Sequence, residues 1–336
     1  MFAHTAIMAK SFSFIRVWNL FKLLCSYYLS RATKKTYVWA KPFSISIEPT
    51  TSCNLRCPQC PSGLRSFERE TGMLSVATNT RIIDQLHPQL TYITYYFQGE
   101  PYLNPDFLDM VSYANKKGIY TCTSTNAHYL TRENCDRTIK SGLSKLIISI
   151  DGTTQETYAK YRVGGLLDKV IEGTKNMLIA KRAANVSNPW VIWQFIVFSH
   201  NEHQLDDIKK LALDCGVDEL QIKTAQIYDF MNGSELMPEN KDYSRYVLNG
   251  PTFKIKNKLL DHCWRMWQGC VFTWNGDVVP CCFDKDAKHK MGNIFNQDFN
   301  EIWQGPAYNG FRSQLSHNRK NIDICTNCSE GTSIWK

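Results

Sequence analysis

Short strand-like segments alternate with longer helical patterns through the first two thirds of the chain, and this alternation constrains the fold more than any other feature. The strand candidates are rich in Ile, Val, Tyr and Phe and are bounded by polar residues or Gly. They are Phe43–Glu48, Tyr92–Phe97, Ile119–Ser124, Lys145–Ile150, Trp190–Val197 and Glu219–Thr224. Helical stretches lie near residues 75–87, 105–117, 131–141, 154–183 and 202–215, and three are followed by Gly118, Gly142 and Gly216, where a left-handed residue commonly ends a helix. Six such units predict an α/β fold with a parallel sheet and right-handed crossovers, either doubly wound or curved into a barrel.

The pattern changes after residue 224. Residues 225–262 are irregular and polar, whereas the tail from Cys263 holds six cysteines and a hairpin candidate at Phe272–Pro280. Asn275 and Gly276 favour a type I′ turn in that hairpin. We therefore predict an N-terminal helical arm over residues 1–42, a core over 43–224, a linker over 225–262 and a small Cys-rich hairpin-plus-helix domain over 263–336.

Charge is concentrated in the N-terminal arm. The chain has a formal net charge of +8, and residues 1–47 hold seven Lys and Arg but no Asp or Glu. The remainder is nearly neutral, which argues against a broad nucleic-acid footprint. Apolar residues lie among these cations, so the arm is either a helix packed on the protein with its cations in water or a peripheral contact to an anionic membrane. The packed helix is the simpler interpretation, and no apolar run is long enough to cross a bilayer.

The thirteen cysteines are clustered rather than spread like a secreted disulfide framework, and no secretory signal precedes them. This usage predicts a cytoplasmic protein in which cysteines bind metal or perform chemistry. Four cysteines stand alone in helix- or strand-like surroundings, and we expect them to be buried as small hydrophobic side chains: Cys25, Cys122, Cys135 and Cys215.

Three thiols follow the first predicted strand within eight residues, in the pattern Cys-x₃-Cys-x₂-Cys formed by Cys53, Cys57 and Cys60. A zinc site requires a fourth ligand, and no Cys or His follows nearby. Three thiolates on a cluster of four irons leave one iron open to a small molecule. Parallel α/β folds place their sites at the carboxyl ends of strands, where this loop lies. A structural zinc loop is the alternative.

This triad, preceded by Glu48-Pro-Thr-Thr-Ser52, resembles the signature of the radical S-adenosylmethionine (radical SAM) superfamily over about residues 43–224. The resemblance implies a partial (βα)₆ TIM-like barrel and a [4Fe–4S] cluster whose open iron chelates S-adenosylmethionine. It further implies reductive cleavage to a 5′-deoxyadenosyl radical, which removes hydrogen from a substrate, and an electron donor of the flavodoxin or ferredoxin type. Gln59 departs from the family pattern, which has an aromatic residue there that helps to seat adenine.

Matching motifs follow the second and fourth strands. Gln98, Gly99 and Glu100 resemble the Gly-Gly-Glu motif of the superfamily, which implies a carboxylate that accepts hydrogen bonds from the cofactor's ammonium group. Taken alone, Gly-Glu-Pro is a common turn. Ser149 and Arg162 resemble the Ser and Arg that bind the methionine carboxylate, and the alternative for Arg162 is a helix-surface charge.

Four further polar residues complete the predicted site. Ser124, Asn126 and Gln194 resemble ribose contacts of the superfamily, although satisfied interior polar residues fit the pattern as well. Asp151 ends the fourth strand, and we predict it as a substrate-side acid or base. The alternative for Asp151 is a cap of the next helix.

The tail resembles the SPASM/twitch extension of the superfamily, which holds auxiliary iron–sulfur clusters. Cys263, Cys281, Cys325 and Cys328 supply four thiols, enough to close one auxiliary [4Fe–4S] site. The central cysteine run of a full two-cluster tail is missing, so we expect one auxiliary cluster, with Cys270 and Cys282 structural. A zinc ribbon is the alternative for the same four thiols.

A closed auxiliary cluster suits electron transfer better than substrate binding. We therefore predict a radical SAM oxidoreductase that performs a two-electron oxidation of a small polar metabolite, with the auxiliary cluster as electron acceptor. A peptide or protein maturase using the same chemistry is the alternative. Outside this class, a two-cluster electron carrier and a zinc-organised binding module also fit parts of the sequence.

Overall fold

The computed structural model describes residues 2–9 and 11–332 and contains a nine-stranded sheet flanked by helices. Lys10 of the predicted arm and residues 333–336 of the predicted tail lie outside the described residues. The strands are β1 (Ser44–Ile47), β2 (Tyr92–Thr94), β3 (Tyr120–Thr125), β4 (Lys145–Ser149), β5 (Trp190–Val197), β6 (Glu219–Thr224), β7 (Tyr246–Asn249), β8 (Thr252–Ile255), β9 (Gly269–Phe272), β10 (Asp277–Val279) and β11 (Gly292–Asn293). The helices are α1 (Phe2–Ala9), α2 (Phe14–Thr33), α3 (Pro61–Leu64), α4 (Val76–Leu86), α5 (Phe107–Lys116), α6 (Arg132–Ser141), α7 (Gln155–Tyr161), α8 (Leu167–Ala183), α9 (Leu205–Cys215), α10 (Arg265–Gln268), α11 (Phe299–Trp303) and α12 (Pro306–Asn318).

Strands β1 to β6 pair in chain order and are all parallel. Each predicted strand overlaps an observed one, so the predicted α/β fold with a parallel sheet is confirmed. The predicted long helix over 154–183 is divided into α7 and α8 at a bend that contains Gly164 and Gly165. Gly118, Gly142 and Gly216 have positive φ, as predicted for residues that end helices.

The Cys-rich tail joins the same sheet, which the sequence did not indicate. Strand β9 pairs with β1 in parallel, and β10 and β11 extend the sheet with antiparallel pairing. The hairpin predicted near Phe272 is therefore present as β9 and β10. Its type I′ turn is wrong, because Gly276 has positive φ while Asn275 does not. The segment before the tail also contains a second hairpin, formed by β7 and β8.

The two faces of the barrel strands differ in what covers them. Outward side chains such as Ile93, Ile148 and Trp193 are fully buried in the main core against the helices. The inward side chains of Tyr120, Cys122, Ile147 and Ile192 form a smaller cluster, against which Ile7 and Met8 of α1 pack. The N-terminal arm thus begins with a helix that packs on the inner face of the sheet.

The isolated cysteines divide into two pairs. Cys122 and Cys135 are buried, as predicted. Cys25 and Cys215 are only half-buried, and Cys215 packs against the main core. Among the described residues, no helix is both long and apolar enough to span a membrane.

Candidate active site

The three thiols of the first motif lie in the loop after β1. Each contacts a different segment: the loop after β2, the loop after β3 and the end of α7. The Sγ of Cys60 is 3.9 Å from Gln98 Oε1, and the Sγ of Cys53 is 4.0 Å from Asn126 Nδ2. The Sγ of Cys57 is 3.9 Å from a terminal nitrogen of Arg162. All six residues line one cavity of about 270 Å³ at the carboxyl ends of the parallel strands. The structure therefore brings together motif residues that lie up to more than a hundred positions apart in the sequence, from Cys53 to Arg162.

A glycine allows the loop after β2 to touch the cysteine loop. Gly99 has a φ of 75°, and a Cβ built there would lie 2.2 Å from the carbonyl oxygen of Thr50. Its N–H donates to Ser62 Oγ at 2.8 Å, and the N–H of Glu100 donates to the carbonyl of Ser52 at 2.8 Å. Any side chain at Gly99 would force these two loops apart.

Glu100 is buried at the floor of the cavity and is held by the end of β3. Its carboxylate accepts hydrogen bonds from the N–H of Asn126 and the hydroxyl of Thr125, both at 2.8 Å, and from the N–H of Tyr102 at 3.3 Å. Burial raises the pKa of Glu100 to about 7, although these donors oppose the rise. The site therefore presents a carboxylate that a nearby cation would keep ionised.

Arg162 follows the last residue of α7 and lines the cavity, and an ion pair with Asp151 fixes its side chain. Its Nε donates to Asp151 Oδ2 at 2.5 Å, while Asp151 Oδ1 accepts the N–H of Ile196 at 2.7 Å. Asp151 is fully buried and does not line the cavity. Since both of its oxygens are engaged, this geometry gives no support to Asp151 as the predicted acid or base. It fits a residue that positions the Arg162 guanidinium.

The predicted ribose contacts are placed differently from one another. Ser124 and Asn126 line the cavity, as does Ser149 at the end of β4. The side chain of Asn126 also donates to Asn54 Oδ1 at 2.8 Å, which ties β3 to the cysteine loop. Gln194 pairs with Ser149 across β4 and β5 but is not among the cavity-lining residues, so the geometry does not support its predicted contact.

Sequence reasoning missed a contribution from the C-terminal part of the chain. Lys285 lines the cavity together with the first cysteine motif, and its ammonium group contacts the Tyr228 hydroxyl and lies 4.6 Å from the centre of that ring. Gln59 accepts a hydrogen bond from the N–H of Tyr228 at 3.0 Å, so the departure from the family pattern positions Tyr228 beside the motif. Burial lowers the pKa of Lys285. No sequence motif marks Lys285 or Tyr228.

A second, more open groove begins where the cavity ends. It has a volume of about 520 Å³, and Lys285 lines both spaces. Its other walls come from the segment after Cys60 and from the Cys-rich tail, including Leu64, Tyr228, Asp286 and Ile324. Lys285 therefore lies where the cysteine cavity meets the larger groove.

A buried ion pair attaches the cysteine loop to the tail. Arg69 contacts both carboxylate oxygens of Glu48, at 2.5 and 2.9 Å, and the N–H of Trp274 donates to the same carboxylate at 3.3 Å. Glu48 is fully buried, and burial raises its pKa although Arg69 opposes the rise. The Glu48 of the predicted signature therefore has a structural role.

The four thiols predicted for the auxiliary cluster lie close to one another in the tail. Burial raises the pKa of Cys325 to about 11, and the neighbouring thiols of Cys263 and Cys328 contribute to that rise. Cys281 is likewise within electrostatic reach of Cys263 and Cys325. The fully buried Arg319 donates to the Sγ of Cys328 at 3.3 Å. A cation beside several buried thiols is suited to an anionic thiolate-ligated group.

The two remaining cysteines of the tail differ. Cys270 is buried in the main core, where Arg312 and Tyr308 are its electrostatic partners, and this setting fits the predicted structural role. Cys282 packs against Val271 and Val279, away from the main core that Cys281 contacts. It nevertheless lies within electrostatic reach of Cys328 and Lys285, so its structural role stays a prediction.

The donor set fits the cofactors that the motifs imply. Three thiols surround one cavity, and a buried carboxylate and a guanidinium line the same space, which matches the ammonium and carboxylate groups of an amino-acid ligand. Within residues 2–9 and 11–332, no three Cys, His, Asp or Glu side chains converge as ligands of a single metal ion do.

Two family models match the sequence. One describes the radical SAM superfamily and covers residues 47–214, and the other describes SPASM, an iron–sulfur cluster-binding domain, and covers residues 263–329. These matches confirm a [4Fe–4S] cluster with S-adenosylmethionine and auxiliary iron–sulfur chemistry as the cofactors, which favours iron–sulfur clusters over the zinc alternatives. Which cysteines hold each cluster stays a prediction. The count of one auxiliary cluster stays a prediction.

Curated relatives carry three different names. The cofactor-modifying protein of the tungsten-containing aldehyde ferredoxin oxidoreductase from Pyrococcus furiosus is 26% identical, over 84% of this chain and 86% of that protein. The PqqA peptide cyclase of Bradyrhizobium diazoefficiens is 27% identical over 84% and 78%. The mycofactocin maturase MftC of Mycobacterium tuberculosis is 30% identical over 79% and 71%.

The fold also matches solved structures. The crystal structure of Streptococcus suis SuiB bound to S-adenosylmethionine aligns with a TM-score of 0.62 at 17% identity, covering 87% of this chain and 73% of that chain. This similarity confirms the fold class predicted from the sequence.

Proposed function

The chain belongs to the radical SAM superfamily, and from this premise we propose that it modifies a side chain of a peptide or protein by removing a hydrogen atom. Its cofactors are a [4Fe–4S] cluster with S-adenosylmethionine and, in the SPASM domain, auxiliary iron–sulfur chemistry. When bound, the first cofactor pair supplies the hydrogen-abstracting chemistry of the superfamily. A one-electron donor of the flavodoxin or ferredoxin class would serve it.

The residues of the first cavity have separate duties in this proposal. Cys53, Cys57 and Cys60 hold the cluster and leave one position for the cofactor. Glu100 accepts hydrogen bonds from an ammonium group, and Arg162, fixed by its 2.5 Å contact with buried Asp151, binds a carboxylate. These two opposite charges, one in the loop after β2 and the other at the end of α7, orient an amino-acid group in one direction only.

The open groove beside Lys285 is the observation that carries the preference for a peptide. At about 520 Å³ it is larger than the cavity it adjoins, and it is bounded by the tail as well as by the barrel. The cluster and S-adenosylmethionine would fill the inner cavity, so a substrate of either class would enter from this groove, and a small polar metabolite would leave most of the groove unused. An extended peptide can lie in the groove while one side chain passes Lys285 toward the reacting centre.

The names of the relatives support the same choice. One acts as a PqqA peptide cyclase and another as a mycofactocin maturase, whereas the Pyrococcus furiosus protein is named for modifying a cofactor. The sequence alone favours a small polar metabolite, whereas the groove and the relatives favour a peptide. Oxidation of a small polar metabolite thus becomes the second candidate.

An auxiliary cluster, when bound in the tail, would supply an acceptor for the second electron of a two-electron oxidation, and the accompanying proton would pass to solvent. Cys263, Cys281, Cys325 and Cys328 would enclose the cluster, and Arg319 would offset its negative charge. Replacing Cys325 and Cys328 with Ala should leave cleavage of S-adenosylmethionine intact while product formation stops. Turnover that survives this change would rule out the acceptor role.

The proposed substrate class is tested with the reconstituted holoprotein under anaerobic conditions. Synthetic peptides from the short reading frames beside the gene, and a panel of aminocyclitols, are each incubated with S-adenosylmethionine and a reductant. Release of 5′-deoxyadenosine that rises with a peptide, together with a mass change in that peptide, would support the proposal. Release and product only with an aminocyclitol would overturn it. The Cys53→Ala variant is the control that removes the cleavage chemistry itself.

A further inference from the structure

The first turns of helix α2 face the protein with polar side chains. Arg16 is buried and donates to the carbonyl oxygens of Ser11 at 2.8 Å and Lys117 at 2.9 Å, and also contacts that of Gly118. Asn19 is also buried, and it exchanges two hydrogen bonds with the backbone of Lys41. Farther along the same side, Leu23 and Tyr27 are buried in the main core. The buried side of α2 is therefore polar in its first turns and apolar in its later turns, and the apolar side chains of the first turns face away from the protein.

The opposite side of α2 is apolar and uncovered. Phe14, Val17, Trp18 and Phe21 are each at least half exposed, with Phe14 at 83%. The rings of Trp18 and Phe21 stack with their centroids 5.3 Å apart. Their spacing of three and four residues places them on one stripe, which we call the outer face of α2. A contiguous exposed aromatic surface of this kind marks an interaction site.

The chain segment that carries the outer face has charges of one sign. Residues 1–47 contain seven Lys and Arg and no Asp or Glu. Arg31, Lys34 and Lys35 are exposed where the helix ends, and Lys22 is half-buried beside the aromatic stripe. An aromatic stripe flanked by cations is complementary to a surface that is both apolar and anionic, which is the description of an anionic bilayer.

We propose that the outer face of α2 binds the surface of an anionic membrane. The helix has 20 residues and would lie in the plane of the interface over about 30 Å. Its aromatic side chains would enter the boundary between headgroups and acyl chains, and the terminal cations would contact lipid phosphates. Arg16 and Asn19 are not available for that role, because their side chains are bonded to backbone groups on the buried side of the helix.

The placement of α2 leaves the active site accessible. Through Arg16 the helix contacts Pro88 and Gly118, which precede β2 and β3, so its first turns lie at the amino ends of the strands. The cysteine cavity lies at the carboxyl ends of the same strands. A membrane bound at the outer face would therefore lie at the other end of the barrel from the cavity and its groove.

Vesicle co-sedimentation of the holoprotein tests the proposal. We expect binding to phosphatidylcholine vesicles that contain phosphatidylglycerol, weaker binding at high salt, and little binding to phosphatidylcholine alone. The variant Phe14→Ser/Trp18→Ser/Phe21→Ser should bind at least about tenfold more weakly, because each aromatic side chain contributes through its buried area. The matched control Leu213→Ser/Leu248→Ser changes two exposed apolar residues elsewhere and should bind like the unaltered protein.

Three results would overturn the proposal. The first is no binding of the unaltered protein to anionic vesicles, and the second is equal binding by the triple variant. The third is a dimer, measured by light scattering without lipid, that the triple variant dissociates, since the outer face would then join two copies of the chain. Cleavage of S-adenosylmethionine by the triple variant shows that it is folded and loaded, independently of lipid binding.

Discussion

The charge on Glu100 gives the sharpest test of the first cavity. If its carboxylate accepts hydrogen bonds from the ammonium group of S-adenosylmethionine, Glu100→Gln removes one charge-assisted interaction. Such interactions contribute about 1.5–3 kcal/mol, so the dissociation constant should rise about 10- to 150-fold. Only the ionised carboxylate can make the contact. With a pKa of about 7, affinity of the unaltered protein should also fall as pH falls below neutrality.

The same substitution should not weaken the fold. Burial raises the pKa of Glu100 from 4.5 to about 7, so keeping it ionised costs about 3 kcal/mol of folding free energy. For an acid whose folded pKa is raised, stability is greatest at low pH and is lost as pH rises through about 7. Gln avoids this cost but cannot accept from all three donors. Glu100→Gln should therefore be as stable as the unaltered protein or more stable, with a difference that grows from pH 4.5 to about 7 and stays constant above that.

Equilibrium dialysis of S-adenosylmethionine against the anaerobic holoprotein, at pH values on either side of neutrality, measures the binding effect. Chemical denaturation at the same pH values measures stability. The matched control is Glu133→Gln on the exposed side of α6, which should change neither. An unchanged dissociation constant in Glu100→Gln, or an affinity that ignores pH in the unaltered protein, would refute the assigned role of Glu100.

Three further predictions concern residues that support the site. Arg69→Met leaves the Glu48 carboxylate buried without its partner and should lower the free energy of unfolding by about 3–5 kcal/mol, with a loss that grows as pH rises. Adding Glu48→Gln should restore most of this free energy, and chemical denaturation measures both variants. Gly99→Ala imposes a positive φ and a clash on Ala and should lower that free energy by about 3 kcal/mol or more, unlike Gly310→Ala, where a Cβ meets open space. Asp151→Asn should weaken S-adenosylmethionine binding while the ratio of product to 5′-deoxyadenosine stays unchanged; normal binding with lost product would instead assign it an acid–base role.

The parts of the site that could be predicted lie next to strands. The thiol triad and Gln98 to Glu100 lie in the loops after β1 and β2, and Ser149 is the last residue of β4. A parallel sheet must therefore bring them to one edge. Local sequence therefore determined their place once the strands were recognised. Asp151 follows the same rule in position, yet its partners Arg162 and Ile196 turn its side chain away from the cavity. Side-chain direction after a strand depends on such partners and is not encoded by the strand pattern.

The parts that could not be predicted depend on contacts between distant segments. Lys285 reaches the cavity because the tail is attached to β1, and neither its neighbours nor its spacing mark it as a site residue. The polar packing of the first turns of α2 is similar, since Arg16 is buried by loop carbonyls that belong to distant parts of the chain. An apolar and basic helix is expected to bury its apolar side throughout, and the structure departs from that expectation at Arg16 and Asn19.

The pairing of β9 with β1 makes the two cysteine regions one cooperative unit. Residues Ser44 to Ile47 have β2 on one side and Gly269 to Phe272 on the other. A chain cut before the tail would leave β1 as an unprotected edge strand, open to aggregation, directly ahead of the loop that carries Cys53. Truncation would therefore damage both regions together, and the separate duties of the two thiol sets can be resolved only by point substitutions that leave this strand pair intact.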